Sequence, residues 1–313
     1  MIWIRTRRAL LGAAAGVLLL GACGYDATVV PKPDVEESSQ AAPAVPVECD
    51  NATESYASSG DRTAALRELT DRGQLVVGVS ADTLKLGSAN PFNKSTIEGF
   101  DIDVAKAIAG ALGVQLKLRV IVAADRIKLL KSGDIDIVAR NMTMNCARWT
   151  EIGFSAVYYN ATQKVLVRKD ADGRYLKYKG PQDLAGLRVC APAGSTSIDN
   201  ITRIEPDAVP VAAANHTGCL IKFQNGEVEA ITGDDTVLAG LVAQDKYAVV
   251  PDQQKLTDEP YGIGANKDDV DLIRFINSVL DERRSNGAWQ SSYNTWLKPY
   301  LGDASAPAPK YGR

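Results

Sequence analysis

The chain has 313 residues, 45% of them apolar, with 35 Lys and Arg against 38 Asp and Glu and a formal net charge of -3. That length is large for one core and suggests two compact lobes. The charge leaves no basic field for a polyanion, which argues against nucleic acid as a partner. The one histidine, His216, leaves little for His-based metal sites or His-dependent hydrolysis.

Met1–Arg8 carries three arginines, Ala9–Leu20 is apolar, and Leu20-Gly21-Ala22-Cys23 follows at once. This order predicts a secretory leader over residues 1–22. The apolar run is short for a spanning helix, which needs about 20 residues. The tetrad resembles the lipobox of bacterial lipoproteins, where the leader is cut before the cysteine and the thiol is acylated. It implies lipidation at Cys23 and a chain held by lipid at the outer face of the cytoplasmic membrane. Tyr25–Pro46 is rich in Pro, Ala, Ser and acid without a periodic apolar face, so residues 23–48 read as the lipidated cysteine and a flexible tether. Cys49, Cys146, Cys190 and Cys219 remain as an even set in an oxidising compartment, hence two disulfides in any of three pairings. No close CxxC pair favours zinc instead, and neither metal nor cofactor is expected.

The folded body opens with an amphipathic helix at 62–72 and a strand at 75–79. Val104, Ile108 and Leu112 recur every four residues in a helix at 100–112 that Gly113 ends. A strand at 115–120, a helix at 125–131 and a buried strand at 135–139 complete an α/β unit. A second unit follows: strands at 187–191, 208–210, 230–232 and 247–250 alternate with helices at 197–205, 216–225 and 235–244. Two such units predict two lobes with a ligand crevice beyond the strand ends. The joins are expected in 165–170 and 250–260. A long helix at 268–289 returns to the first lobe. The domain expectation is lobe 1 over 49–167, lobe 2 over 168–252, a return to lobe 1 over 253–302 and a disordered tail over 303–313.

Three segments stand where strands give way to helices. Arg140–Arg148 carries two arginines; Arg148 suits a bidentate pair with a planar carboxylate, and Thr143 and nearby backbone supply hydrogen bonds. Gly194-Ser195-Thr196 permits a tight turn and opens a helix whose free N–H groups suit an anion. Asp234 ends the third strand, where it can cap a helix or receive an ammonium group. Arginine, anion nest and aspartate together match an α-amino acid. His216 reads as a cap neighbour or surface residue, Met142 and Met144 as packing under the loop, and Trp289, Tyr293 and Trp296 as core.

From Asp71 to about Leu301 the chain resembles the polar-amino-acid type of extracellular solute-binding protein that feeds ABC importers. Its nearest likeness is to the glutamate/glutamine-binding lipoproteins of actinobacteria, including mycobacteria. Leu75-Val-Val-Gly-Val79, Gly99-Phe-Asp-Ile-Asp-Val104, Leu130-Lys-Ser-Gly-Asp-Ile-Asp136, Arg148 before Gly153-Phe-Ser155, Leu184-Ala-Gly-Leu-Arg-Val189, Gly194-Ser-Thr196 and Gly226-Glu-Val-Glu-Ala230 before Asp234 carry it. The resemblance implies a two-lobed type II periplasmic-binding-protein fold, each lobe a mixed β-sheet flanked by helices. It assigns Arg148 to the ligand α-carboxylate, helped by Thr143, backbone near Asn141, Ser195 and Thr196, and Asp234 to the α-ammonium. It also implies the pairs Cys49–Cys146 and Cys190–Cys219. The usual stacking aromatic is missing from Ser80–Ser88, where none occurs before Phe92. Lys85 and Arg140 would suit a second carboxylate, Asp82 or Asn141 an amide.

The expected function is a non-enzymatic, monomeric receptor for glutamate or aspartate, or else glutamine or asparagine, delivering it to an ABC permease. The alternatives are a sensor for a membrane signalling partner and, less expected, an envelope enzyme on the same fold.

Overall fold

The computed structural model describes residues 47–93, 96–175 and 177–313. The predicted leader, Cys23 and residues 24–46 of the tether lie outside the described residues.

The first lobe is built on a five-stranded sheet in the order Gln115–Val120, Gln74–Val79, Ile137–Val138, Gly264–Ala265, Gly153–Phe154. Its first three strands are parallel and the last two pairings antiparallel. The Phe100–Leu112 helix packs on it with Phe100, Val104, Ile108 and Leu112 buried, and Gly113 ends it in the left-handed region. Trp289 and Tyr293 join the same core, as their helical spacing predicts. Met142 and Met144 lie buried with Leu130, Ile152 and Phe154 in a second cluster beneath the 140–148 loop.

The second lobe carries the order Val209–Ala213, Arg188–Pro192, Ala230–Asp234, Tyr159–Arg168, Ala248–Val249, with Thr257–Tyr261 also paired to Tyr159–Arg168. Its first three strands are parallel, and Tyr159–Arg168 runs against them. A small antiparallel sheet of Asp82–Thr83, Gly87–Ala89 and Ile97–Glu98, absent from the sequence reading, folds the 80–98 loop back on itself.

Three expectations are corrected. The first join falls before residue 165: Tyr159–Arg168 already belongs to the second sheet, and its start pairs with Thr257–Tyr261 as two antiparallel crossing strands. The helix expected at 268–289 is two helices, Val270–Ser285 and Ala288–Trp296, because Gly287 turns the chain at φ +80. The expected disordered tail is fastened down. Tyr311 bridges to Ser55 and donates to Asp281, and the Arg313 guanidinium donates to the Asn51 and Glu54 carbonyls and lies 3.9 Å over the Trp149 ring. Apart from Asp281, 30 positions back, these partners are some 160 to 260 positions away in sequence, so no local pattern announces them.

The disulfides join Cys49 to Cys146, across 97 positions, and Cys190 to Cys219, across 29. The first ties the N-terminal segment to the Cys146–Glu151 helix, whose Trp149 Nε1 also donates to Ala52 O at 2.8 Å. That helix carries Arg148. Among the described residues, no helix is long and apolar enough to cross a membrane.

Candidate functional site

Three helix starts converge where the lobes meet, each capped by a side chain that its own sequence supplies. Asn145 Oδ1 accepts from Arg148 N at 2.8 Å, Ser195 Oγ from Ile198 N at 3.3 Å, and Asn215 Oδ1 from Gly218 N at 2.7 Å. Gly194 holds φ +69, and a Cβ there would lie 2.8 Å from Ala124 Cα of the first lobe. Glycine therefore serves two ends here, the left-handed turn and the close approach of the lobes.

A narrow cavity lies between the lobes, lined by Arg126, Arg140, Asn141 and Thr143 from the first and by Ser195, Thr196, His216 and Asp234 from the second. Arg148 stands beside it and joins the lobes, donating to Thr143 O at 2.7 Å and Gly194 O at 3.4 Å. Arg126 also reaches Gly194 O, at 3.2 Å, and donates to the Ala123, Arg140 and Asn141 carbonyls. Arg140 donates through Nε to Ile121 O at 3.0 Å. All three guanidinium groups are buried, at 3%, 4% and 8% exposure for Arg126, Arg140 and Arg148. Among the described residues, none has a carboxylate within ion-pair distance. Burial lowers the pKa of each, and for Arg126 the charges of Arg148 and Arg140 add to that. A buried cation held only by carbonyls is poorly compensated, and an anion between these groups relieves the penalty.

The acids answer with the opposite need. Asp234, 4% exposed, accepts from Tyr261 OH at 2.6 Å through Oδ2, while its buried Oδ1 has no hydrogen-bond partner. Desolvation, followed by the nearby charge of Glu259, raises its pKa to about 8. Asn141 sits at φ +33 with its N–H donated to Asp101 Oδ2 at 2.9 Å, and its own buried Oδ1 is unpartnered. Asp101 is itself held by Tyr158 OH, and burial raises its pKa to about 6.

The predicted residues thus separate into two groups. Thr143, Asn141, Arg140, Ser195, Thr196 and Asp234 line the cavity, with Arg148 alongside. Asp82 does not line it; its Oδ1 accepts from Ser80 and its charge faces Arg140, while its backbone carbonyl accepts from Thr217 of the second lobe. Lys85 is the clear correction. The hairpin places its backbone at φ +74 and its ammonium 5.3 Å over the Tyr300 ring, so it does not line the cavity.

Sequence reasoning missed Arg126, His216, Tyr261 and Glu259. Arg126 opens a short helix whose other basic residues are ordinary surface groups, and it is held by the Arg140, Asn141 and Gly194 carbonyls, 14 to 68 positions away. His216 is half-buried, its Nε2 3.2 Å from Thr232 O, and burial lowers its pKa to about 4. Glu259 lies on a crossing strand, where no sequence signal marked a site.

Two mixed α/β lobes joined by paired crossing strands, with polar helix starts facing each other across the join, define a two-lobed binding protein of type II architecture. The chain belongs to the bacterial extracellular solute-binding proteins, family 3, whose model matches residues 75–299. It is 35% identical over 246 residues to the ABC transporter glutamine-binding protein GlnH of Bacillus subtilis, covering 77% of this chain and 88% of that one. The glutamate-binding protein GluB of Corynebacterium glutamicum is 30% identical over 233 residues, covering 70% and 77%. Among solved structures, a variant of the arginine-binding protein ArgBP from T. maritima matches with a TM-score of 0.70 and 32% identity, covering 75% of this chain and 99% of that one.

Proposed function

We propose that this protein is a non-catalytic receptor that closes its two lobes over a polar L-amino acid and presents it to an ABC importer, held at the outer face of the membrane through Cys23. The observation that carries this reading is the pairing of needs across one cavity: buried guanidinium groups with no carboxylate in ion-pair contact, beside a buried aspartate with an unpartnered oxygen. An α-amino acid supplies one carboxylate and one ammonium, and Arg148 and Asp234 are their natural partners. Arg140 faces the charges of Asp82 and Asp101, and Arg126, held by carbonyls alone, leaves a further guanidinium for a second carboxylate. Glutamate or aspartate therefore fits better than glutamine or asparagine. The relatives' names divide among glutamine, glutamate, histidine and arginine, so the ligand rests on this charge balance and not on likeness.

Closure follows from energetics. The ligand touches both lobes only when they meet, so it stabilises the closed form by its differential affinity, and a membrane partner can read that form. Whether that partner imports the amino acid or senses it is decided by co-purification with a permease or with a signalling protein. Titration calorimetry against the twenty amino acids tests the receptor itself. Saturable binding of acidic amino acids is expected, and the absence of any binding below the millimolar range contradicts it.

A further inference from the structure

Glu259 is 1% exposed on the Thr257–Tyr261 crossing strand, where its carboxylate accepts from four polar side chains. Its Oε2 accepts from Thr143 Oγ1 at 2.6 Å and Thr196 Oγ1 at 2.7 Å, one hydroxyl from each lobe. Its Oε1 accepts from Thr257 Oγ1 at 2.5 Å and Asn200 Nδ2 at 2.9 Å. Each of its two oxygens is thus filled by two donors, and a hydroxyl has a single hydrogen to give. Thr143 and Thr196 direct theirs to Glu259, so toward the cavity each offers lone pairs alone. The two oxygens are 3.3 Å apart and share the cavity with Asp234, whose Oδ1 awaits a donor.

We propose that Glu259 is the positioning residue of an amino-group subsite: by taking the hydroxyl hydrogens of Thr143 and Thr196 it makes both acceptors, which with Asp234 receive the three N–H donors of the ligand ammonium. This rests on the amino-acid receptor reading above and changes one part of it. The two threonine hydroxyls face the amino group, and the α-carboxylate is left to Arg148 and to free backbone N–H groups at the start of the Thr196–Ile204 helix. Acceptor count matches donor count, and the charge-assisted bonds to Glu259 are of the strong kind that fixes hydroxyl orientation.

The test compares L-glutamate with glutarate, which has the same two carboxylates and no amino group, on wild type and on Glu259→Gln. The amide can donate to the threonine oxygens, which frees their hydrogens to point at the ammonium. L-Glutamate affinity is expected to fall by roughly tenfold or more, the worth of one charge-assisted hydrogen bond, with glutarate affinity unchanged within about twofold. Equal losses for both ligands, or an unchanged glutamate affinity, overturn the proposal. Thr143→Val removes one acceptor without touching Glu259 and must show the same split; a melting curve on each variant reports folding. If wild type binds neither ligand, the receptor reading itself falls, an outcome distinct from equal losses in a protein that binds.

Discussion

Asp234 makes ligand binding depend on pH, with a sign and size that follow from its surroundings. Its carboxyl is fully desolvated, faces the charges of Glu259 and Asp235, and is only partly relieved by Tyr261 OH and by Arg126, which together place its pKa at about 8. With the lobes together and no ligand between them the carboxyl therefore carries a proton at neutral pH, whereas an ammonium group needs the carboxylate. At about pH 6, two units below the pKa, roughly 1% of Asp234 is ionised; at about pH 8, half is. Affinity for L-glutamate should rise about 50-fold over that interval, or about 2.3 kcal/mol, at 1.36 kcal/mol per unit. The ligand's own charges do not change in this window. Calorimetry at about pH 6, 7 and 8, in buffers of different ionisation enthalpy, reads both the affinity and the protons exchanged. Close to one proton should be released per ligand at the acid end. A flat affinity, or proton uptake, would refute the placement of the ammonium at Asp234.

The same group acts on stability with the opposite slope. Its folded pKa lies above the unfolded value, so its contribution is complete below about pH 4 and is lost as pH rises through about 8; between about pH 6.5 and 8 the closed form without ligand should lose stability by up to about 1.4 kcal/mol per unit, read from denaturant midpoints. His216, lowered to about 4, slopes the other way only below about pH 6.5. Arg148→Ala should weaken amino-acid binding by about 2–5 kcal/mol, the usual cost of truncating one partner of a buried charge pair, with little change in melting temperature; an unchanged affinity in calorimetry would remove Arg148 from the site. Gly194→Ala should lower affinity by blocking closure, since its Cβ would meet Ala124 Cα at 2.8 Å only when the lobes are together; small-angle scattering with saturating ligand should show a more open particle than wild type, and identical curves would count against this. Replacing Cys49 and Cys146 by serine should cost about 2–4 kcal/mol of stability, because it frees a long loop, and should weaken binding through the helix that carries Arg148; an unaltered melting temperature would contradict the first part.

Much of the architecture is legible in the sequence because it is written locally. The Phe100–Leu112 helix has its apolar period and terminal glycine, and the strand ending at Asp234 has its apolar run and following helix start. The cavity residues legible in this way are those at strand ends, from Asn141 to Arg148, Ser195 and Thr196, and Asp234. The rest depends on events between distant segments. Arg126 is a surface-type residue in sequence until the Arg140, Asn141 and Gly194 carbonyls hold it, and Glu259 gains its role only because the crossing strand passes between Thr143 and Thr196. Lys85 misled for the converse reason: the hairpin that turns it toward Tyr300 rests on antiparallel pairs too short to announce themselves.

The central claim is that an amino acid bridges the two lobes between Arg148 and Asp234. A crystal structure of the protein with L-glutamate bound tests it most directly. The account predicts the α-carboxylate on the Arg148 guanidinium, the ammonium on Asp234 Oδ1, and the distal carboxylate toward Arg126. A ligand seated elsewhere, or one that leaves Arg148 without a carboxylate, would contradict it.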